Sequence, residues 1–259
     1  LLSALLTERR SGRPFVAYRS VHNDLPEPLC ALYLDGNSFL NSTVSGNTIS
    51  GNGYDFILIS GTLSENATWA SSYGTYVVEN LTVAAGATLT IDAGVVVKFA
   101  ASGGITVDGT LVADAGAGPQ IYFTSLKDDA QGGDTNGDGD ASSPARGDWY
   151  RLDFRSGSID NVLDNVVVRY GGYYSTAAVH LYTAAIRVEN SLIEQSHGHG
   201  IQLSNVAANV NITANTIINN RLSGIYVNNS TTTIAGNTIS DNGGQGIDIR
   251  NSSTATIEN

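Results

Sequence analysis

Apolar and polar residues alternate over short runs along most of this chain, as in Leu81-Thr82-Val83, Leu89-Thr90-Ile91, Ile105-Thr106-Val107 and Ile201-Gln202-Leu203. Period-two alternation marks half-buried strands. The runs are separated by Gly, Asn, Asp and Ala, of which Gly and Asn tolerate the positive φ of tight corners. Helical periodicity is missing, so the chain reads as short strands and turns throughout.

The runs recur. Asn215-Thr216-Ile217 returns as Asn237-Thr238-Ile239 after 22 residues, and Asn190-Ser191-Leu192 precedes it by 25. Gly200-Ile201, Gly224-Ile225 and Gly246-Ile247 follow at steps of 24 and 22. Asn165 with Val167, and Asn47-Thr48-Ile49, fit the same marker. In the middle of the chain the text changes but the period stays. Leu81-Thr82-Val83 matches Ile105-Thr106-Val107 at 24, Leu89 matches Leu111 at 22, and Val97-Lys98-Phe99 aligns with Ile121-Tyr122-Phe123 at 24.

Three short strands in a unit of this size cannot enclose a core alone. Stacked as successive turns of a coil, they pair in parallel at ~4.7–4.9 Å and bury one continuous interior of Ile, Val, Leu and Phe. The predicted fold is all-β, a parallel β-helix or solenoid with three short strands per turn of 22–25 residues. The handedness of parallel crossovers makes it right-handed. One coil is expected over residues 31–259, interrupted by an acidic loop at 127–148. Residues 1–30 do not join the repeat. They hold Arg9, Arg10, Arg13 and Arg19, while Pro14, Pro26 and Pro28 oppose regular pairing, so they are either a cap or an unrelated leader. At the other end, Ile257-Glu258-Asn259 stops where another repeat would begin, and the coil is expected to continue.

The run from Val83-Ala84-Ala85-Gly86-Ala87 through Thr88-Leu89-Thr90-Ile91, then Gly94-Val95-Val96-Val97-Lys98-Phe99, resembles bacterial right-handed β-helix proteins of the pectate-lyase-like superfamily. The Asn-Thr-Ile and Gly-Ile markers resemble the group's periplasmic and surface members. The resemblance spans roughly residues 31–259 and implies the fold. It implies little about activity, because that fold carries lyases, glycosidases, adhesins and passive stalks.

Charge and composition narrow the field. The 259 residues hold 13 basic and 24 acidic side chains, a net charge of −11, with Lys98 and Lys127 the only lysines. That balance argues against a nucleic-acid partner. No apolar stretch approaches the ~20 residues needed to cross a bilayer. The single cysteine, Cys30, excludes an internal disulfide framework and a multi-cysteine zinc site. The opening Leu1-Leu2-Ser3-Ala4-Leu5-Leu6 is not a complete signal peptide, and with no Met the chain reads as a mature form or an excised segment.

The acidic excursion from Lys127 to Asp148 contains six of the chain's 17 aspartates. Within it, Asp134, Asn136, Asp138 and Asp140 alternate around Gly137 and Gly139, as in the first half of an EF-hand loop. Ala145 stands where that loop's bidentate Glu would be, so Asp128, Asp129 or Asp148 would complete the shell from outside the run. So many carboxylates repel unless a hard cation joins them, and structural Ca²⁺ is the expected cofactor, with Asp128, Asp134, Asn136, Asp138, Asp140 and Asp148 as ligands. The resemblance points the same way, since similar β-helix proteins carry this insertion. The alternative is a solvated acidic loop, and in either case the segment is expected to project from the coil.

Stacking makes surface rows legible. Asp153, His180, Gln202, Tyr226 and Asp248 each sit at the centre of an apolar–x–apolar strand and should form one outward stripe. A second stripe is expected through Arg169, Glu194, Asn219 and Asp241, with Arg169 and Glu194 paired. Aromatic faces stack on sugars. Tyr170, Tyr173 and Tyr174, with Gln202, Tyr226 and Asp248, are therefore candidate glycan contacts, whereas Trp149 and some tyrosines pack under the loop in the competing reading. His197 and His199 lack an evident third ligand and read as turn histidines.

Two functions follow. The first is a secreted or cell-surface module, with the periplasm as the alternative compartment, that binds a polysaccharide or surface glycan as an adhesive, calcium-stabilised scaffold. The second is a polysaccharide-cleaving enzyme. A glycosidase would pair Asp153 with Asp148 or Asp164, with His180 tuning one of them. A lyase would combine calcium with Arg151, Arg155 or Arg169. Oligomeric state is not legible.

Overall fold

The computed structural model describes residues 30–35, 54–207 and 210–258. The expected cap at 1–30, save Cys30, and the Asn47-Thr48-Ile49 marker lie outside them.

All assigned strand pairs are parallel, and the described residues wind through about eight turns. Three faces result. Face 1 stacks Val166–Arg169, Leu192–Glu194, Thr216–Ile218 and Thr238–Ser240. Face 2 stacks Leu152–Phe154, Val179–Tyr182, Ile201–Ser204, Ile225–Asn228 and Ile247–Arg250. Face 3 runs from Ala67–Trp69 to Thr254–Glu258 as a separate eight-stranded sheet. Three longer strands, Tyr54–Leu63, Thr75–Val83 and Val96–Val107, cross the corner between faces 1 and 2 and join them into one bent sheet.

The alternation read from the sequence sets inside from outside. Leu152 and Phe154 point into the coil while Asp153 between them points out, and the same holds at Val179-His180-Leu181. The interior is one apolar column. Phe99 stacks between Phe123, at 6.5 Å, and Trp149, at 4.1 Å between ring centroids. Trp149 is fully buried, its indole N–H donating to the Arg169 carbonyl at 2.8 Å, so it belongs to the core under the loop.

Registers match the expected steps at Leu81 with Ile105, Leu89 with Leu111 and Ile225 with Ile247. One alignment is corrected: Val97 pairs with Phe123 and Lys98 with Thr124, a step of 26 instead of 24. A slip of two residues keeps each side chain on its face, which is why the interior pattern alone did not reveal it.

The asparagine marker also separates into two jobs. Asn165, Asn190, Ala214 and Gly236 occupy the positive-φ corner. Asn215 and Asn237 stand one residue later, equivalent to Ser191. Asn215 Oδ1 accepts the Ser191 N–H at 3.0 Å, its Nδ2 donates to the Val188 carbonyl at 2.8 Å, and Asn237 Oδ1 accepts the Asn215 N–H at 2.9 Å. Asn220 and Asn242 build a second ladder at the next corner. These side chains satisfy backbone groups that the bends remove from the strand ladders. The second stripe changes accordingly: Arg169, Glu194, Ile218 and Ser240 share a row, while Asn219 and Asp241 are corner residues with φ of 55°. Gly224 answers a different need, since a Cβ there would lie 2.8 Å from the Gly246 carbonyl oxygen of the next turn.

The acidic insertion does not project. It folds back against the outer surface of face 1, where Lys98 and Arg169 point out from their strands beneath it. Two cations under a carboxylate-rich segment hold it down.

Candidate functional site

Under the acidic loop, the charges sort into pairs and a remainder. Asp128, 2% exposed, takes the Arg169 guanidinium at 2.5 Å and a short hydrogen bond from the Thr124 hydroxyl. Asp148 accepts from Lys127 Nζ at 3.1 Å, Ser125 Oγ at 2.7 Å and the Ala145 N–H at 2.9 Å, closing the base of the loop. Both were expected among the metal ligands, and both are committed elsewhere. Asp140 is exposed and has no partner among the described residues, so it too falls outside the cluster.

The remainder converges. Oxygens of Asp129, Asp134 and Asp138 lie within 4.8 Å of one another. The loop wraps Asp134, whose carboxylate accepts the N–H groups of Gly137 at 2.7 Å and Gly139 at 2.9 Å. Asn136 Nδ2 donates to Asp138 at 2.9 Å. Below them Lys98 is fully buried, donating from Nζ to the Gly133 carbonyl at 2.5 Å. Burial lowers its pKa to about 8, against the pull of Asp129, Asp128 and Asp134. Asp129 is pushed up, first by desolvation and then by the neighbouring Asp134. The sequence named Asp129 only as an outside contributor. Lys98 carried one signal, a lone lysine at an outward position in an apolar strand.

Face 2 presents the expected stripe in register. Asp153 pairs with His180, His180 with Gln202, Gln202 with Tyr226 and Tyr226 with Asp248. Asp153 is only 3% exposed and sits among three nitrogen donors: His180 Nδ1 at 2.7 Å, and the guanidinium groups of Arg151 at 3.2 Å and Arg155 at 3.1 Å. Burial alone would raise its pKa, but the His180 hydrogen bond, the charge of Arg151 and the Arg155 hydrogen bond outweigh it and hold it at about 2. A carboxylate only accepts, so His180 donates from Nδ1, and in the neutral ring Nε2 carries the lone pair. The Arg151 guanidinium lies over the Tyr150 ring at 4.5 Å.

The carboxylates proposed to pair with Asp153 have other partners. Asp148 is held by Lys127 and Ser125, and Asp164 stands on face 3, accepting from Asn190 Nδ2 at 2.8 Å.

Further up the row, Tyr226 stacks on His199 at 4.6 Å, and Asp248 pairs with Arg250 at 2.6 Å. Tyr182 is exposed in the adjacent row, in register with Ser204. Tyr173 and Tyr174 lie together at the corner between faces 1 and 2, ring centroids 4.0 Å apart. Tyr174 is 78% exposed and held at φ 58°, a left-handed backbone unusual for an aromatic residue. Tyr170 is partly buried beside Arg169, 5.3 Å away, and forms part of the wall below that corner. His197 accepts from Arg221 at 2.5 Å, and His199 Nδ1 accepts the Ser223 N–H at 3.1 Å. Each histidine is engaged separately, as turn histidines.

Residues 154–259 match the family described as the right-handed beta helix region. Among curated proteins none matches the chain. Among solved structures, the periplasmic alginate epimerase AlgG, in a mutant form, aligns over 88% of this chain and 82% of its own, with 10% identity and a TM-score of 0.29. The all-β parallel solenoid is the fold that the repeats implied, and residues 154–259 carry its match to the right-handed beta helix region.

Proposed function

We propose that the protein is a secreted or cell-surface scaffold that binds a polysaccharide along face 2, with its acidic loop braced by calcium. The observation that carries this reading is the unbroken register of Asp153, His180, Gln202, Tyr226 and Asp248 on one outer face. Successive rungs are ~4.8 Å apart, close to the advance of one sugar unit in an extended glycan. A chain lying along the coil therefore runs over one polar or aromatic row residue per rung, of which Gln202, Tyr226 and Asp248 are half-buried and Asp153 and His180 buried. Among the described residues no helix is long and apolar enough to cross a membrane.

The test is binding to a panel of immobilised neutral and acidic polysaccharides. Tyr226→Ala should weaken capture of the bound glycan about tenfold, as loss of one aromatic platform does. Absence of binding to every glycan in the panel would overturn the scaffold reading.

One observation favours a second reading, a polysaccharide-cleaving enzyme. Asp153 orients His180 and leaves Nε2 available as a base, an arrangement suited to proton abstraction rather than to paired-carboxylate hydrolysis. Reducing-end release from the same panel, lost in His180→Gln, would establish that activity.

A further inference from the structure

The cation-binding residues can be separated from the other acids of the loop by their partners. Asp128 is neutralised by Arg169 and Asp148 by Lys127, each at hydrogen-bond distance. Asp129, Asp134 and Asp138 remain, with mutual oxygen distances within 4.8 Å. The buried Lys98 ammonium supplies one compensating charge beneath them. Three carboxylates against one ammonium leave two negative charges, the complement of one divalent ion.

A second observation is independent of the acidic cluster. Asn136 is 9% exposed, and its amide is directed at Asp138 through the Nδ2 hydrogen bond, yet its Oδ1 is buried with no partner. Asp129 Oδ1 is likewise buried and unpartnered. A buried acceptor without a partner is costly, and Asn136, joined to Asp138 through its amide, carries one such oxygen beside the cluster, while Asp129 carries another within it. Oxygens within 4.8 Å of one another are close enough to share one ion at Ca–O distances of ~2.3–2.6 Å. The donors are all oxygen, which suits a hard ion rather than zinc.

We infer that Asp129, Asp134, Asn136 and Asp138 form a calcium site seated over Lys98 on the outer surface of face 1. The inference rests on the calcium part of the function proposed above and assigns its ligands. Asp140 and Asp148 are outside the site: the first is a solvent-facing neighbour, and the second is the hinge lock of the loop. Calcium here joins the two ends of the acidic run, Asp129 near its root and Asp138 near its tip, and clamps the fold-back.

The experiment is calorimetric titration of CaCl₂ into the full chain after chelator treatment, with thermal unfolding in calcium and in chelator. The wild type should bind one ion and unfold at a higher temperature in calcium. Asp129→Asn and Asp138→Asn should each weaken calcium by at least about tenfold and lose the thermal shift. Asp140→Asn should stay within about twofold. Asp148→Asn should lower the melting temperature in chelator and keep its calcium shift. Asp138 is exposed, so its variant tests the site without risk to folding. Wild-type affinity in both Asp129→Asn and Asp138→Asn, with loss in Asp140→Asn or Asp148→Asn, would overturn the ligand assignment while leaving calcium binding intact. No calcium heat and no thermal shift in the wild type would overturn both.

Discussion

A single side chain can hold two turns of this coil together. Asn215, 1% exposed, serves the Ser191 N–H and the Val188 carbonyl, and Asn215→Ala leaves both without a partner. Each unmatched buried group costs ~1–3 kcal/mol, so a loss of about 2–4 kcal/mol is expected in chemical denaturation. Asn211→Ala, on an exposed strand position, should stay within ~0.5 kcal/mol. Asp153 makes a pH-dependent contribution. Its folded pKa of about 2 lies below the ordinary 3.8, so its stabilisation is complete above about pH 4 and disappears as pH falls through about 2. The shift corresponds to about 2 kcal/mol. Denaturation midpoints measured from pH 5 to pH 2 should fall more steeply in the wild type than in Asp153→Asn.

At the scale of the element, the acidic loop is a docked flap whose anchor lies in a strand of face 1. Arg169→Ala leaves Asp128 buried without its cation, and breaking such a pair costs ~3–5 kcal/mol, more than a surface loop needs to open. The loop should therefore release while the coil stays folded. Trypsin should cut at Lys127 and Arg146 in Arg169→Ala under conditions in which the wild type resists, with the β-sheet circular dichroism retained. Equal resistance would mean that the remaining contacts, Asp148 with Ser125 and Lys127 and Lys98 with Gly133, suffice to hold the loop.

The whole molecule is a stack in which each turn touches its two neighbours, so a binding surface grows by repetition. From Asp153 to Asp248 the face 2 row spans five rungs. Four steps of ~4.8 Å give about 19 Å. Affinity for oligosaccharides of the glycan selected by the panel should rise with length and level off near five sugar units in calorimetry. A plateau at one or two units would replace the row with a single local pocket. Tyr173 and Tyr174, at the adjoining corner, belong to the loop that leads into the strand of His180, the neighbour of Asp153, so their substitution should affect only the Asp153 end of a bound chain.

What the sequence determined by itself is whatever repeats. In a solenoid the lateral neighbour of a residue is one period along the chain, so alternation and a 22–25-residue step suffice to define strands, interior and the order of the face 2 stripe. The Asp153–His180 contact, at a longer step of 27, followed from aligning the apolar–x–apolar strands. Tertiary structure alone decided the matters that have no period. Asn190 and Asn215 share a residue type but not a role, because only the bend shows which is at the left-handed corner and which fills the ladder. The Lys98–Thr124 register depended on a longer turn that local text could not measure. Above all, the loop folded onto face 1, so that Arg169 reached Asp128 and Lys98 came to lie beneath Asp129 and Asp134. Which carboxylates were paired with a cationic side chain was decided by such contacts in space, since charge neutralisation depends on distance and not on spacing along the chain.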